Sequence, residues 1–347
     1  MKKLVSLIIV VVLIMGIMTS CGGDSAQNPS TASLDMENAA AENSETEPTV
    51  DNGSAKIGIV QIADHPSLDE IRESFIAELD VLGVDAEIEY KSAQGDTSNL
   101  NTICQNYVAK EVDMIVAIAT PSAMSAVSAV TGTDIPVLFS AVSDPVEAGL
   151  ATDINTPIDN VTGTSDVIPV EQILEMALKV NPDAKEVGLL FNPGEANSIS
   201  ATGAAKEYLE AKGINIVEAG ASVVTDLQTA TESLTTKKLD FIFSPNDNTV
   251  ATGMQLVADI CKNAGVPIYV GADTMVKDGG FATIGVNYTY LGQQTAEMCK
   301  MILNGTKASD IPIRLMDQYV VMVNKTVADA IGIDITTEIF DGAEIVE

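Results

Sequence analysis

AKIGIVQIADHPSLDE, Ala55 to Glu70, passes from an apolar run through a proline-opened turn into a charged helical start. KIGIVQI reads as a β-strand, because a short, nearly unbroken apolar run bounded by turn residues fits a strand buried on both faces. The following LDEIRESFIAELDVLG places Leu68, Ile71, Phe75, Leu79 and Leu82 on one helical face. Pro66 and Ser67 open that helix, and Asp69 and Glu70 suit its first turn. His65, the only histidine of the chain, sits at the junction between strand and helix.

The alternation continues outward. VDAEIEY, a helix over 97–110, VDMIVAIAT, the proline-opened helix TPSAMSAVSAV and the strand IPVLFSAV follow in turn. Strands alternating with amphipathic helices predict an α/β fold with parallel sheets. The series is then written a second time. IGIVQ at Ile57 returns as VGLLF at Val187, and LGVDAEIEY at Leu82 returns as KGINIVEAG at Lys212, both 130 positions on. VDMIVAIATPS pairs with LDFIFSPNDN, and IPVLFS with VPIYVG, at nearly the same offset. Four matched strands in one order predict two similar doubly wound, Rossmann-like lobes. FATIGVNYTYLGQQTAEMCKMILNG and QYVVMVNKTVADAIGI add two further strand and helix pairs, which fits a chain that crosses between lobes more than once.

A length of 347 residues with 46% hydrophobic content suits two lobes with their own cores. Eighteen basic against 49 acidic residues leave a net charge of −31, which repels polyphosphate backbones and argues against a nucleic-acid partner. Residues 1–21 read as an export signal: Lys2 and Lys3 precede the apolar run LVSLIIVVVLIMGIM, too short and wrongly flanked for a stable span. MTSCGG resembles the lipobox of bacterial lipoproteins, with Met18 where leucine is usual, so Cys21 is the expected lipidation site and the membrane a partner through it. Residues 22–54, acidic and free of aromatic and basic residues, predict a disordered tether. Cys104, Cys261 and Cys299 have no metal spacing and fall in apolar helical patterns, so buried free thiols are expected.

AKIGIVQIADHPSLDEIRESF, FSAVSDPVEAGL, VTGTSD, FNPGEANS, NDNTV, NYTYLGQQTAEM and VVMVNKTVADAIGI together resemble the ABC transporter substrate-binding proteins of the tryptophan/tyrosine type, over nearly the whole mature chain. That resemblance implies the type I periplasmic-binding fold with three hinge strands, a small ligand closed between the lobes, and a partner permease and ATPase. Lobe one then comprises 55–165 and 287–318, and lobe two 166–286 and 319–347. The crossings are expected near Gly163–Val167, Gly285–Tyr288 and Tyr319–Asn324. A monomer without cofactor, anchored on the outer face of the cell membrane, is the expected form.

Ligands of open α/β sheets bind beyond the carboxyl ends of the strands, where helix starts present free N–H groups. On lobe one this brings in His65 and Leu68, then Gln94, then Thr120, Pro121, Ser122 and Ala123 as a carboxylate cradle. Ser140, Ser143 and Asp144 follow the next strand. On lobe two the candidates are Glu195, Asn197 and Ser198, which fall in register with His65 to Leu68, together with Asn246, Asp247 and Asp273. Asn and Asp at such positions also serve as ordinary N-caps. Asp144, Glu195, Asp247 and Asp273 are the candidate partners for an ammonium, and helix starts the partners for a carboxylate, so a zwitterionic amino acid suits the set. Tyr90, Phe139, Phe191, Tyr288 and the His65 ring are candidate walls for an aromatic or aliphatic side chain. A sensor lipoprotein, or an importer component for a nucleoside or other small amphiphile, is the alternative function. Catalysis lacks its parts: one histidine, no G-x-S-x-G elbow, no phosphate loop and no cluster of metal ligands.

Overall fold

The computed structural model describes residues 54–316 and 318–347; the expected signal, Cys21 lipidation site and nearly all of the expected tether lie outside them. In chain order the elements are β1 (Ala55–Gln61), α1 (Pro66–Val81), β2 (Ala86–Ser92), α2 (Thr97–Ala109), β3 (Met114–Ile118), α3 (Thr120–Ala129), β4 (Val137–Ser140), a small hairpin β5 (Ala151–Asp153) and β6 (Thr156–Pro157), and β7 (Val161–Ser165). There follow α4 (Val170–Val180), β8 (Glu186–Phe191), α5 (Ala196–Ala211), β9 (Asn215–Gly220), α6 (Leu227–Thr235), β10 (Phe241–Ser244), α7 (Asn248–Thr252), α8 (Met254–Ala264), β11 (Ile268–Val270), α9 (Asp273–Lys277) and β12 (Ala282–Val286). The chain ends with α10 (Tyr288–Leu303), β13 (Arg314–Leu315), β14 (Tyr319–Asn324), α11 (Lys325–Ile331) and β15 (Glu344–Val346).

Besides the two-stranded hairpin, two sheets form among the described residues, one per lobe. The first has the order β13-β7-β4-β3-β1-β2 and is parallel throughout. The second has the order β15-β14-β12-β11-β10-β8-β9, with β12 and β14 its antiparallel pair. The chain passes from one to the other after Ser165, back after Val286, and again between Leu315 and Tyr319, just ahead of the stretch 319–324. The repeat is physical as well as textual: β1-α1-β2 and β8-α5-β9 are the same unit, and His65 and Glu195 occupy the same N-cap position in each.

Central strands are apolar on both faces because helices cover both. All five residues of β3 are buried, and Gly58 in β1 is demanded by packing, since a Cβ there would lie 2.6 Å from the Tyr107 ring. The Tyr107 hydroxyl bonds the carbonyls of Ile59 and Glu89 at 2.9 Å each, tying β1 to β2. The face of α1 carrying Leu68, Ile71, Phe75 and Leu79 is buried, with Leu82 half-buried at the C-cap. Gly292 lets α10 approach α1, because a Cβ would meet the Ile71 carbonyl at 2.5 Å. Hence the chain's second passage returns a helix to lobe one. Lobe two is cored by an edge-to-face series, Phe241, Tyr269, Phe281 and Phe340, with centroids 5.5, 5.2 and 6.1 Å apart. Cys104, Cys261 and Cys299 are buried free thiols, and burial pushes each up to about 12, far from thiolate reactivity.

Candidate functional site

The strand ends of the two sheets meet around a small cavity between the lobes. Side by side, the carboxyl ends of β7, β4, β3 and β1 deliver Asp166, then Ala141 and Ser143, then Ala119 and Thr120, then His65. Ser67 and Leu68 follow His65 on the first turn of α1. From lobe two come Asn197 on α5, Asn246, Asp247 and Asn248 beyond β10, Ala251 on α7, and Ala272 and Met275 beyond β11. Tyr288, the first residue of α10, completes the wall.

Two lobe-one turns are held in a backbone conformation that alanine rarely adopts: Ala119 has φ 78° and Ala141 φ 57°. Both line the cavity, and strain of this kind persists where surrounding structure over-determines it. Ala119 is the N-cap of α3 and has no side chain with which to cap it, so the helix opens uncapped toward the cavity.

Hydrogen bonds cross between the lobes here. The Asn246 amide donates to Ser143 Oγ at 3.0 Å and to Asp166 Oδ2 at 2.8 Å. Ser143 Oγ donates to Asp166 Oδ1 at 2.8 Å, and the Tyr288 hydroxyl to Oδ2 at 3.3 Å. His65 Nε2 meets Asn248 Oδ1 at 3.3 Å, and the hydroxyls of Ser67 and Thr274 bond. At the rim, Ser200 Oγ donates to Asp144 Oδ2 at 3.2 Å.

Asp166 faces this cavity without a cation; Asp247 does so too, but its oxygens are taken by the N–H groups of Asn192 and Val250 and by Ser198. Burial raises the Asp166 carboxyl above the usual range, opposed by the bonds from Ser143, Asn246 and Tyr288, and no lysine or arginine pairs with it among the described residues. The cavity also presents four buried polar atoms without a partner among those residues: His65 Nδ1, Thr120 Oγ1, Asn197 Oδ1 and Asn246 Oδ1. Buried polar atoms are almost always satisfied, so four around one cavity mark a space shaped for a polar occupant.

Of the residues expected from sequence, His65, Leu68, Thr120, Ser143, Asn197, Asn246 and Asp247 line the cavity. Gln94, Pro121 and Glu195 line an outer cleft instead, with Gln94 bonded to Asp64 and Ser92. Ser122 and Ala123 are buried in α3, and Ser140 turns into lobe one to meet Thr164 and Thr295. Ser198 donates to Asp247 at 2.7 Å. The four acids expected to meet an ammonium already have other partners. Asp144 caps its own turn at the Glu147 N–H; Glu195 accepts from Asn192, Asn248 and Thr249; Asp273 pairs with Lys277 at 2.7 Å. Asp247 accepts from the N–H groups of Asn192 and Val250, and burial beside Glu195 pushes its carboxyl up to about 7. Of the expected walls, Tyr288 and His65 line the cavity. The Tyr90 hydroxyl bonds Asp64 while Arg72 stacks on its ring, Phe139 is in the lobe-one core, and Phe191 lines a groove on lobe two.

Asp166 was not among the expected contacts, although its segment VTGTSD and its crossing at Gly163–Val167 were; the available signal was an acid directly after a strand that leaves its lobe. Ala119, Ala141, Ala251 and Ala272 carry no chemical signal, and Met275 reads as core.

A family described as ABC transporter substrate binding protein matches residues 56–346. A protein of Clostridioides difficile described as a tyrosine-binding protein is 33% identical over 334 residues, covering 95% of this chain and 92% of that relative. Among solved structures, a Streptococcus pneumoniae domain in complex with L-Trp is 32% identical at TM-score 0.80, covering 85% of this chain and all of that one. The ligand-free, open structure of a Clostridium difficile substrate-binding protein with adhesive properties is 35% identical, covering 84% of this chain and 99% of that one, at TM-score 0.64. With near-equal identity, the present arrangement of lobes superposes better on the ligand complex than on the open form, in keeping with the closed cavity between them. Two lobes joined by three passages, with strand ends facing across one cavity, make the type I periplasmic-binding fold, an architecture for capture and not for catalysis. The chain belongs to the family of ABC transporter substrate-binding proteins.

Proposed function

We propose that this chain captures one aromatic amino acid between its lobes and delivers it to a membrane permease driven by an ATPase. The observation that carries the reading is Asp166, a fully buried carboxylate facing the cavity with no cation beside it. An amino-acid ammonium supplies that cation. The ligand carboxylate takes the uncapped start of α3, where Thr120 Oγ1 has no partner and helix N–H groups favour negative charge. Leu68, Ala251, Ala272, Met275 and Tyr288 supply the apolar surface for a ring. A relative described as tyrosine-binding and a structural neighbour holding L-Trp support this ligand class.

Closure gives the ligand contacts that neither lobe offers alone, so binding and hinge motion are one equilibrium. Cys21 carries the lipid anchor in this reading, and the acidic stretch after it lets the lobes stand away from the outer face of the membrane. Isothermal titration and thermal shift against the twenty amino acids test it. Tyrosine or tryptophan is expected to stabilise the protein most; a panel in which no amino acid binds sinks the proposal.

A further inference from the structure

The chain's only histidine is held in a fixed protonation pattern by a short relay. The Glu195 carboxylate only accepts, and it takes both the backbone N–H and the side-chain amide of Asn248. The Asn248 amide nitrogen is therefore turned to Glu195, and its oxygen is turned to His65. An oxygen opposite His65 Nε2 requires the proton on that nitrogen. Nδ1 is then a bare acceptor; it is buried, lines the cavity wall and has no partner among the described residues. Burial holds the imidazole below its ordinary 6.5, against the pull of the Asn248 bond and of Asp69, Asp278 and Asp64, which keeps the ring neutral.

Asp166 and His65 stand at opposite ends of the row of strand ends. β7 and β1 are separated by β4 and β3, which puts their ends about 14 Å apart at ordinary strand spacing. Across the cavity Asn246 meets Asp166 and Asn248 meets His65. With Asp247 extended at φ −93° and ψ 123°, these two asparagines point the same way about 7 Å apart, while Asp247 turns back into lobe two. One ammonium cannot serve both stations. A ligand whose ammonium meets Asp166 brings its side chain to His65.

We propose that His65 is the specificity-determining residue of the site: its Nδ1 accepts a hydrogen bond from the ligand side chain, selecting aromatic amino acids with a ring O–H or N–H over phenylalanine. This rests on the aromatic amino-acid reading above. A phenylalanine in the same place leaves Nδ1 buried and unpaired, a loss that corresponds to roughly tenfold in affinity.

Because the chain has one histidine, 15N-histidine labelling gives a single pair of ring resonances. In the closed complex the proton is expected on Nε2. Tyrosine or tryptophan should move Nδ1 to a hydrogen-bonded shift, and phenylalanine should leave it in place. By titration, phenylalanine should bind about tenfold more weakly than the better of the other two. His65→Leu should bring the three ligands within about twofold of one another, and His65→Gln should restore part of the preference. A proton on Nδ1 in the tyrosine or tryptophan complex, or three ligands that bind equally with Nδ1 unmoved, overturns the inference while leaving aromatic capture intact. If none of the three binds, the aromatic amino-acid reading itself has failed.

Discussion

Asp166→Asn isolates the charge on which capture depends. The substitution keeps side-chain volume and one carbonyl oxygen, so Ser143 retains its acceptor, while the Tyr288 hydroxyl faces the new NH2 group and can accept from it. Asn246, whose Oδ1 has no partner among the described residues, can turn its amide to meet the new NH2 group. Removing one partner of a buried ion pair costs about 3–5 kcal/mol, and the surviving dipole places this case near the lower end, a loss on the order of 100-fold in Kd. Ligand-free stability should move the other way. Asp166 is a buried acid without a cation, so its neutral replacement should hold or raise the unfolding temperature. The pH signature follows from the raised carboxyl. In the ligand-free protein the folded state holds the proton more tightly than the unfolded chain, so this residue's contribution is full below the ordinary 3.8. It is lost as pH rises through the folded value. An ammonium beside Asp166 favours its ionised form, so amino-acid binding should release a proton in that window and weaken as pH falls below it. Titration calorimetry in buffers of different ionisation enthalpy measures the proton, and thermal unfolding the stability. The reasoning fails if Asp166→Asn binds within threefold of the parent, or if it melts several degrees lower without ligand.

Other consequences are as direct. Gly271→Ala would put a Cβ 2.3 Å from the Asn246 backbone nitrogen, so it should cost about 1–3 kcal/mol of stability and on the order of tenfold in affinity, read by melting and titration. Ser200→Ala removes the 3.2 Å bond to Asp144 at the rim without touching the cavity; affinity should fall by about fivefold with the ranking of ligands unchanged. A thiol reagent should leave Cys104, Cys261 and Cys299 unlabelled until the protein unfolds, with or without ligand; labelling of the native protein would contradict their burial.

The architecture was legible because parallel strands covered on both faces write themselves as apolar runs. The repeat at 130 positions exposed the second lobe without any contact information. Helix starts were legible through Pro66, Pro121 and Asp247. The proposed ammonium partner was not. Asp144, Asp166, Glu195, Asp247 and Asp273 all follow strands, and sequence gives each the same standing. What separates them is how their oxygens are occupied: Asp273 by Lys277 one helical turn on, and Asp144 and Glu195 by residues far along the chain, Ser200 and Thr249. Ser140 was equally hard to place, since as the last residue of β4 its side chain turns into the lobe, toward Thr295.

The unpaired atoms of the cavity explain how a ligand can drive closure at all. A ligand that bound the open and closed forms equally would shift nothing, and moving a 1:99 equilibrium to 99:1 takes a difference of about 5.5 kcal/mol. In the closed form His65 Nδ1, Thr120 Oγ1, Asn197 Oδ1 and Asn246 Oδ1 are cut off from water without partners, at about 1–3 kcal/mol each, and Asp166 is cut off without a cation. These penalties oppose the interlobe bonds of Asn246, Asn248 and Thr274, which hold the lobes together. An amino acid removes the penalties and leaves the bonds. The required difference is therefore within reach of a few satisfied atoms, and filling them one at a time by mutation should close the lobes without ligand. Thr120→Val, which deletes one unpaired oxygen and keeps the shape, should shift the ligand-free protein toward the compact form in small-angle scattering. An unchanged radius of gyration would mean that closure is governed by the hinges and not by the cavity.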